Sequence, residues 1–322
     1  MTKKKKVHAA HQHGWMFGIV GLAAGLALLV YVPSLKPVAQ SLILFAGFHI
    51  VGAIVILATI WYGGLRDHLH SPSSRADRFD FGWDPSWTMG IAIAALIAAA
   101  SAAAVEVAIP DWWPLAWALL LTGVSFFTGF ILMLGYRRPD YAVLPMVNLL
   151  SGDNDVVLDA GCGAGRTTIA LARALRQGRI VAFDRFDASY IDGGGRNLIE
   201  NNLRLAGLVG RVRIETGDLT ALPFADANFD SVVSTNVYDH LGRKMEPAMR
   251  ETYRVLKPGG RFLIGVSVPS WAMFAVGNVL SFFLKSRRGW RKLAVRTGFS
   301  IDGEWMVNGT WFALLVKTAE TV

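Results

Sequence analysis

The segment VVLDAGCGAGRTTIALA, residues Val156 to Ala172, decides the fold of the second half of this chain. An apolar run ends in Asp159, glycines follow at Gly161, Gly163 and Gly165, and an amphipathic pattern then begins. This pattern predicts a strand, a tight turn and a helix, because glycine adopts the backbone conformations that a tight turn requires. A loop with so few side chains lets a ligand approach the backbone closely.

The spacing of these glycines separates two classes of ligand. Backbone N–H groups at the start of a helix favour anions, so a dinucleotide is one candidate. The dinucleotide fingerprint is G-x-G-x-x-G, whereas this loop reads G-x-G-x-G and has Arg166 at the sixth position. Asp159 also enters the turn directly from the strand, and a carboxylate there favours a ligand that carries a positive charge or an amine.

Strands and helices alternate after Arg138, which predicts a mostly parallel sheet with helices on both faces. Ligands of such sheets bind at the carboxyl ends of the strands. The predicted strands are residues 156–159, 179–184, 212–216, 229–236, 261–268, 299–307 and 311–317, the predicted helices are 167–175, 195–206 and 245–256, and Lys257–Gly260 is a predicted turn.

Four motifs in this half resemble the class I S-adenosylmethionine-dependent methyltransferases, in their small-molecule, methyltransferase type 11-like branch. LDAGCGAG resembles the first motif, and VAFD, which ends at Asp184, resembles the acidic end of the second strand. IETGDLTALPFADANFDSVVSTN resembles the third and fourth strands, and EPAMRETYRVLKPGGRFLIGV the following helix and strand. The resemblance spans Val156 to Lys317. It implies an α/β Rossmann-like methyltransferase domain with a mostly parallel seven-stranded sheet and S-adenosylmethionine as its cofactor.

The resemblance also implies cofactor-binding roles. Asp159 is expected to face the ammonium end of the cofactor, Asp184 to accept from both ribose hydroxyls, and Asp218 to accept from the adenine amine. For Asp184 or Asp218 alone, the alternative is a solvated turn residue, and Cys162 is expected to be a small buried filler. The expected cofactor-binding residues are Asp159, Gly161, Cys162, Gly163, Gly165, Asp184, Arg185, Gly217, Asp218, Leu219 and Asn236, and no metal site is expected.

The segment STNVYDHLG follows the fourth predicted strand, where the family places residues that face the acceptor. Asn236 is a candidate there, and Tyr238, Asp239 and His240 are the candidate catalytic residues. Asp239 or His240 is the expected base if the acceptor must lose a proton. A helix cap or a loop is the alternative role. The segment lacks the N-P-P-[YF] pattern of enzymes that methylate nucleic-acid bases, so no nucleic-acid partner is expected.

The first part of the chain has the composition of a membrane region. Of all 322 residues, 53% are hydrophobic and 17% charged, and the mean hydropathy is +0.38. Such values indicate transmembrane segments beside a globular part. Four apolar runs approach or reach the roughly 20 residues that a spanning helix needs. The predicted transmembrane helices are residues 14–32, 42–62, 89–109 and 115–134. The predicted organisation is a basic tail (1–13), a membrane region that contains these helices (14–138) and a methyltransferase domain (139–322).

Lysine and arginine set the expected orientation, because they concentrate in cytoplasmic loops. They cluster at Lys3–Lys6, in the loop after the second run and at Arg137–Arg138, whereas the other side has Lys36. The prediction is a multi-pass protein of the inner or plasma membrane with both termini cytoplasmic. His49 and Glu106 fall inside predicted transmembrane helices. Either they form a buried polar site, or their side chains extend to the membrane–water interface.

Two hypotheses for function follow. The first is a membrane-anchored methyltransferase that acts on a small lipophilic acceptor, such as a quinone precursor or a lipid. The alternative is a membrane sensor or scaffold that binds S-adenosylmethionine without turnover. The apolar run Trp271–Leu284 precedes six basic residues and is expected to contact membrane lipids in the headgroup region of an anionic leaflet. The alternative is that this apolar run is a helix of the protein core and that the basic residues after it form a solvated turn. The oligomeric state stays open.

Overall fold

A computed structural model describes residues 14–47, 78–82, 85–136, 148–187, 195–273, 281 and 283–318. They fall into two compact units. The first contains the helices that precede residue 135. The second contains residues 78–82, 148–273 and 283–318.

The first unit is helical, as the apolar runs predict. The runs at 14–32, 89–109 and 115–134 are confirmed as helices. The second helix begins at residue 36 instead of 42. Its predicted continuation over 48–62, which includes His49, lies outside the described residues. The described helices are α1 (Gly14–Tyr31), α2 (residues 36–47), α3 (Pro85–Ala108) and α4 (Trp113–Tyr136). Two stretches, Thr88–Ala108 and Pro110–Leu134, are long and apolar enough to cross a membrane.

Glycines bring these helices close together in pairs. A Cβ on Gly25 of α1 would lie 2.7 Å from Cγ1 of Ile43 on α2. A Cβ on Gly123 of α4 would lie 3.1 Å from the Cβ of Ala98 on α3. Small residues at such contacts are typical of helices that pack by van der Waals interaction in a bilayer.

The second unit is built on a seven-stranded sheet with the order β3-β2-β1-β4-β5-β7-β6. Strands β1 to β5 pair in parallel, and β7 pairs antiparallel with both β5 and β6. The sequence-based prediction of a mostly parallel sheet is therefore confirmed. The strands are β1 (Val156–Ala160), β2 (Arg179–Asp184), β3 (Val212–Thr216), β4 (Phe229–Thr235), β5 (Leu256–Ser267), β6 (Phe299–Val307) and β7 (Thr310–Lys317).

Helices cover both faces of this sheet. Successive residues of β1 point to opposite faces, so Val157 and Leu158 enter two separate apolar clusters, and both are fully buried. Burial on both faces explains why β1 reads as a continuous apolar run. The described helices of this unit are α5 (Arg166–Ala174), α6 (Arg196–Leu205), α7 (Met245–Val255) and α8 (Arg287–Arg296).

The predicted turn at Lys257–Gly260 lies inside β5, where it forms a bulge with Gly259 at a φ of +75°. Leu256 pairs with Phe229, and the next pair joins Arg261 to Ser231, so the KPGG residues bulge out opposite Asp230. Lys257 Nζ donates to Asp230 Oδ1 at 2.6 Å and ties the bulge to β4.

Residues 78–82 lie between two of the apolar runs in the sequence, yet they belong to the second unit. Phe81 is buried, and the Asp80 N–H donates to Asn202 Oδ1 at 3.0 Å. Asn202, itself fully buried on α6, donates from Nδ2 to the carbonyls of Asp80 and Ala164. Ala164 lies in the loop between β1 and α5, so this segment supports that loop although it precedes the sheet in the chain.

Candidate active site

Backbone hydrogen bonds hold the loop between β1 and α5 against the end of β2. The N–H groups of Gly161 and Cys162 donate to the Phe183 carbonyl at 2.7 and 3.1 Å. Gly161 has a φ of +86°, and a Cβ there would lie 2.4 Å from Cγ2 of Val237. Any other residue would therefore strain the backbone and collide with the segment after β4. The three loop glycines all have positive φ, at +86° for Gly161, +51° for Gly163 and +86° for Gly165.

Asp159 ends β1 beneath this loop and is 1% exposed. Its Oδ2 accepts from Oγ1 of Thr168 on α5 at 2.5 Å, whereas Oδ1 is buried and has no partner among the described residues. Burial raises the pKa of the Asp159 carboxyl to about 7, partly offset by the Thr168 hydrogen bond. A buried carboxylate oxygen without a partner is costly, and an ammonium group would satisfy it.

Asp184 ends β2 and holds the neighbouring loops through both carboxylate oxygens. Oδ2 accepts from the Gly163 N–H at 2.9 Å, and Oδ1 accepts from the Phe186 N–H at 2.8 Å. Burial raises the pKa of Asp184, partly offset by these backbone donors. Each oxygen keeps a second acceptor position, so the carboxylate retains the capacity to bind two hydroxyls.

Asp218 follows β3 and is a turn residue that pairs with cations. Its Oδ1 accepts from the N–H and the hydroxyl of Thr220, and its Oδ2 accepts from Lys244 Nζ at 3.1 Å. The Thr220 N–H is the largest cause that lowers the Asp218 pKa to about 2, so this carboxylate is ionised at neutral pH. Arg185 Nη1 lies 3.7 Å from the same Oδ2 and also pairs with Asp187.

Three other expected cofactor residues have structural roles in these loops. The Gly217 N–H donates to the Asp184 carbonyl at 3.0 Å, and a Cβ on Gly217 would lie 2.5 Å from Cζ of Phe183. Leu219 is buried in the core cluster. The Cys162 thiol is buried, and burial raises its pKa, which fits a small filler and not a reactive group.

The segment after β4 brings a second set of buried polar atoms to the same edge. Asn236 has a φ of +56°, its N–H donates to the Gly265 carbonyl, and its Oδ1 is buried without a partner among the described residues. Asp239 Oδ2 accepts from the Ser267 N–H at 3.0 Å, while its Oδ1 is likewise buried and unpaired in the described part of the chain. His240 Nε2 lies 3.9 Å from Asp239 Oδ2, with 45% of the His240 side chain exposed.

Tyr238 does not fit the role that its position in the sequence suggests. The side chain is fully buried, its hydroxyl bonds to Oγ1 of Thr252 on α7, and its ring packs 5.5 Å from that of Phe262. Burial raises the Tyr238 pKa, so the phenol stays neutral. A core residue of this kind anchors the segment after β4 and does not face an acceptor.

Some contributors to this edge were missed at the sequence level. Thr168 supplies the hydrogen bond to Asp159, Lys244 pairs with Asp218, and the Ser267 N–H holds Asp239. The contact of Thr168 with Asp159 could have been predicted from the sequence, because a hydroxyl in the first turn of the helix after the glycine loop points back toward the end of the strand. The other two depend on how distant segments pack.

Comparisons with known proteins agree with this geometry. Residues 158–264 match the family described as "Methyltransferase domain". A sterol 24-C-methyltransferase of Eremothecium gossypii is 30% identical over 165 residues, which are 51% of this chain and 40% of that protein. A ubiquinone/menaquinone biosynthesis C-methyltransferase of Klebsiella pneumoniae is 37% identical over 109 residues, 34% of this chain and 41% of that protein. The chain therefore spans less than half the length of either relative.

Among solved structures, a SAM-dependent methyltransferase from Methanosarcina mazei is 19% identical. The similarity covers 55% of this chain and 99% of that one, with a TM-score of 0.44.

Residues 158–264 match the methyltransferase family, and they lie in a Rossmann-like unit whose sheet and glycine loop resemble those of the S-adenosylmethionine-dependent class. The residues present fit that cofactor. Asp159 offers an unpaired buried oxygen to an amine, and Asp184 has acceptor capacity for two hydroxyls.

Cofactor affinity should depend on the ionisation of Asp159. The carboxylate attracts an ammonium group and the protonated acid does not, so binding is strong above the Asp159 pKa of about 7 and is lost as the pH falls through that value. We expect the dissociation constant of S-adenosylmethionine to rise about tenfold per pH unit below 7. Calorimetric titration between pH 5.5 and 7.5 measures this.

The matched control is Asp159→Asn, which has no titrating group at this position. It should bind more weakly at pH 7.5 and show little dependence on pH. A flat profile for the wild-type chain, or a pH dependence that persists in Asp159→Asn, would contradict this role.

Proposed function

We propose that this chain is an S-adenosylmethionine-dependent methyltransferase that acts on a small lipophilic acceptor at the cytoplasmic face of a membrane. The observation that carries the proposal is the buried, unpaired oxygen of Asp159 under a loop whose glycines expose the backbone. Intact carboxylates at Asp159, Asp184 and Asp218, in the positions that the family resemblance requires, weigh against a site that has lost its cofactor. Methyl transfer then separates an enzyme from a sensor or scaffold that binds without turnover.

The cofactor supplies a methyl group that is already activated by its positive sulfur. The protein then has mainly to hold the acceptor in line with that group, so proximity and orientation provide most of the rate. Asp184 and Asp218 would fix the nucleoside part, and Asp159 the amino acid part. Asp239 or His240 would take a proton from an acceptor that must lose one, because the buried Asp239 Oδ1 has no partner among the described residues and Asp239 Oδ2 lies 3.9 Å from His240 Nε2.

A lipophilic acceptor is supported by the relatives and by the surface. Both relatives carry names that refer to lipophilic substrates, a sterol in one and a quinone in the other. In this chain Trp271 and Phe283, which flank the stretch between β5 and α8, are 87% and 68% exposed. Exposed aromatic side chains of this size are typical of surfaces that meet apolar partners or a membrane interface.

Membrane anchoring is supported by the first unit. Its helices α3 and α4 each contain a stretch long and apolar enough to span, and large apolar side chains such as Leu96 and Leu121 are 70% and 63% exposed. Glu106 is exposed on α3, which suits a residue near the headgroups. The proposed organisation is a basic tail (1–13), four transmembrane helices within residues 14–138, and a cytoplasmic methyltransferase domain (139–322).

The activity test uses the full chain with methyl-labelled S-adenosylmethionine and a membrane extract. We expect label in the organic phase with the wild-type chain and with Asp302→Ala, which removes an exposed carboxylate of β6. Asp184→Ala should lose transfer, because two hydrogen bonds to a charged group are each worth about 1.5–3 kcal/mol. Cofactor binding without transfer to any extractable or protein acceptor would contradict the enzymatic role and favour the sensor.

The orientation has its own test. A reporter enzyme fused after Val322 should behave as cytoplasmic, and the same reporter placed in Pro33–Gln40 should behave as external, because lysine and arginine predominate on the opposite side of the helices. The reverse pattern would overturn the charge argument. Two cytoplasmic reporters would show that the first helix does not span.

A further inference from the structure

An arginine-lined cleft of about 480 Å³ lies between the segment after β5 and the start of α8. Pro269 forms one side, and Ser286, Arg287, Arg288 and Arg291 form the other. The Ser286 hydroxyl accepts from the Gly289 N–H at 3.2 Å, which fixes where the helix begins. The cleft is open to solvent, so its guanidinium groups are accessible.

The three arginines of the cleft differ in how their charges are balanced. Arg291 forms a two-point ion pair with Glu304 on β6, with Nε 2.6 Å from Oε1. Arg287 and Arg288 are exposed, and within the described residues neither guanidinium has a carboxylate at ion-pair distance. Arg291, and to a smaller extent Arg287, lowers the pKa of the Glu304 carboxyl, so Arg287 also shares that charge. Among the described residues, the three guanidinium groups of the cleft therefore share the single carboxylate of Glu304, and this excess of positive charge favours an anion beside Arg287 and Arg288.

Topology places this cleft at the edge of the sheet where the candidate active site lies. Pro269 comes two residues after Ser267, which ends β5 and whose N–H donates to Asp239 Oδ2. Val307 at the end of β6 and Ser267 both pair with Thr310, so the two strands end at the same edge. Arg291 reaches Glu304, three residues before the end of β6, which brings the start of α8 to that edge as well.

We propose that this cleft binds a phosphate group of the methyl acceptor, so that the acceptor is an anionic amphiphile and not a neutral lipid. The inference rests on the proposed function, which supplies the acceptor. A phosphate has the charge that matches the excess of guanidinium groups over carboxylates in the cleft, and guanidinium groups donate to phosphate oxygens in pairs. Arg287 and Arg288 would hold the charged end while the reacting atom lies toward Asp239 and the cofactor loop.

Inorganic pyrophosphate is the probe, titrated calorimetrically into the full chain in dodecyl maltoside micelles, which contain no phosphate. We expect saturable binding that weakens at least about tenfold in Arg287→Gln/Arg288→Gln, since each charged hydrogen bond removed has that order of effect. Lys292→Gln is the matched control, because Lys292 is an exposed cation of α8 that does not line the cleft. The control should bind like the wild-type chain, and Arg287→Lys/Arg288→Lys should retain part of the affinity.

S-Adenosylmethionine binding, measured on the same samples, separates the two claims. A chain that binds the cofactor but shows no saturable pyrophosphate binding, or that loses it equally in Lys292→Gln, would overturn the phosphate site alone. Loss of cofactor binding by the wild-type chain would instead overturn the proposed function. Displacement of pyrophosphate by phosphatidylglycerol would support an amphiphilic acceptor with a phosphate headgroup, whereas displacement by glycerol phosphate alone would overturn it in favour of a soluble acceptor.

Discussion

A carboxylate that is buried without a full set of hydrogen bonds costs free energy, and Asp159 is held in that condition. Its strand is central in the sheet, with β2 on one side and β4 on the other, so the side chain cannot turn toward water without disturbing both neighbours. Thr168 satisfies one oxygen and leaves the other. Much of the surrounding structure serves to keep that second oxygen available to a ligand.

The glycine loop shows how this arrangement is maintained. The Phe183 carbonyl holds the start of the loop, Asp184 holds Gly163, and Asn202 holds Ala164. Asn202 in turn binds Asp80, which lies far earlier in the chain. A loop fixed at several points loses little conformational entropy when a ligand binds, which is the usual benefit of a preorganised site. The segment around Asp80 therefore belongs to the same compact unit as the glycine loop, although the sequence places it between two apolar helices.

Local sequence patterns predicted much of this structure. The strand, glycine turn and helix around Asp159 follow from residues close together in the chain, and the parallel sheet follows from the alternation of strands and helices. The features that local patterns do not predict depend on distant partners. The KPGG bulge requires the register of β5 against β4, and the burial of Tyr238 requires Thr252 and Phe262 around it. The contact of the apolar run Trp271–Leu284 with membrane lipids stays a prediction, because residues 274–280 and 282 lie outside the described residues. The alternative of a basic turn after this run is wrong, since Arg287–Arg296 form a helix capped by Ser286.

The central claim is that the unpaired oxygen of Asp159 receives the amino group of the cofactor. A crystal structure of the full chain with S-adenosylhomocysteine, which keeps that amino group, tests this most directly. We predict a nitrogen-to-Oδ1 distance of about 2.8 Å, the usual length of a charge-assisted hydrogen bond. A bound cofactor whose amino group lies elsewhere, with Asp159 Oδ1 still unpaired, would contradict the account.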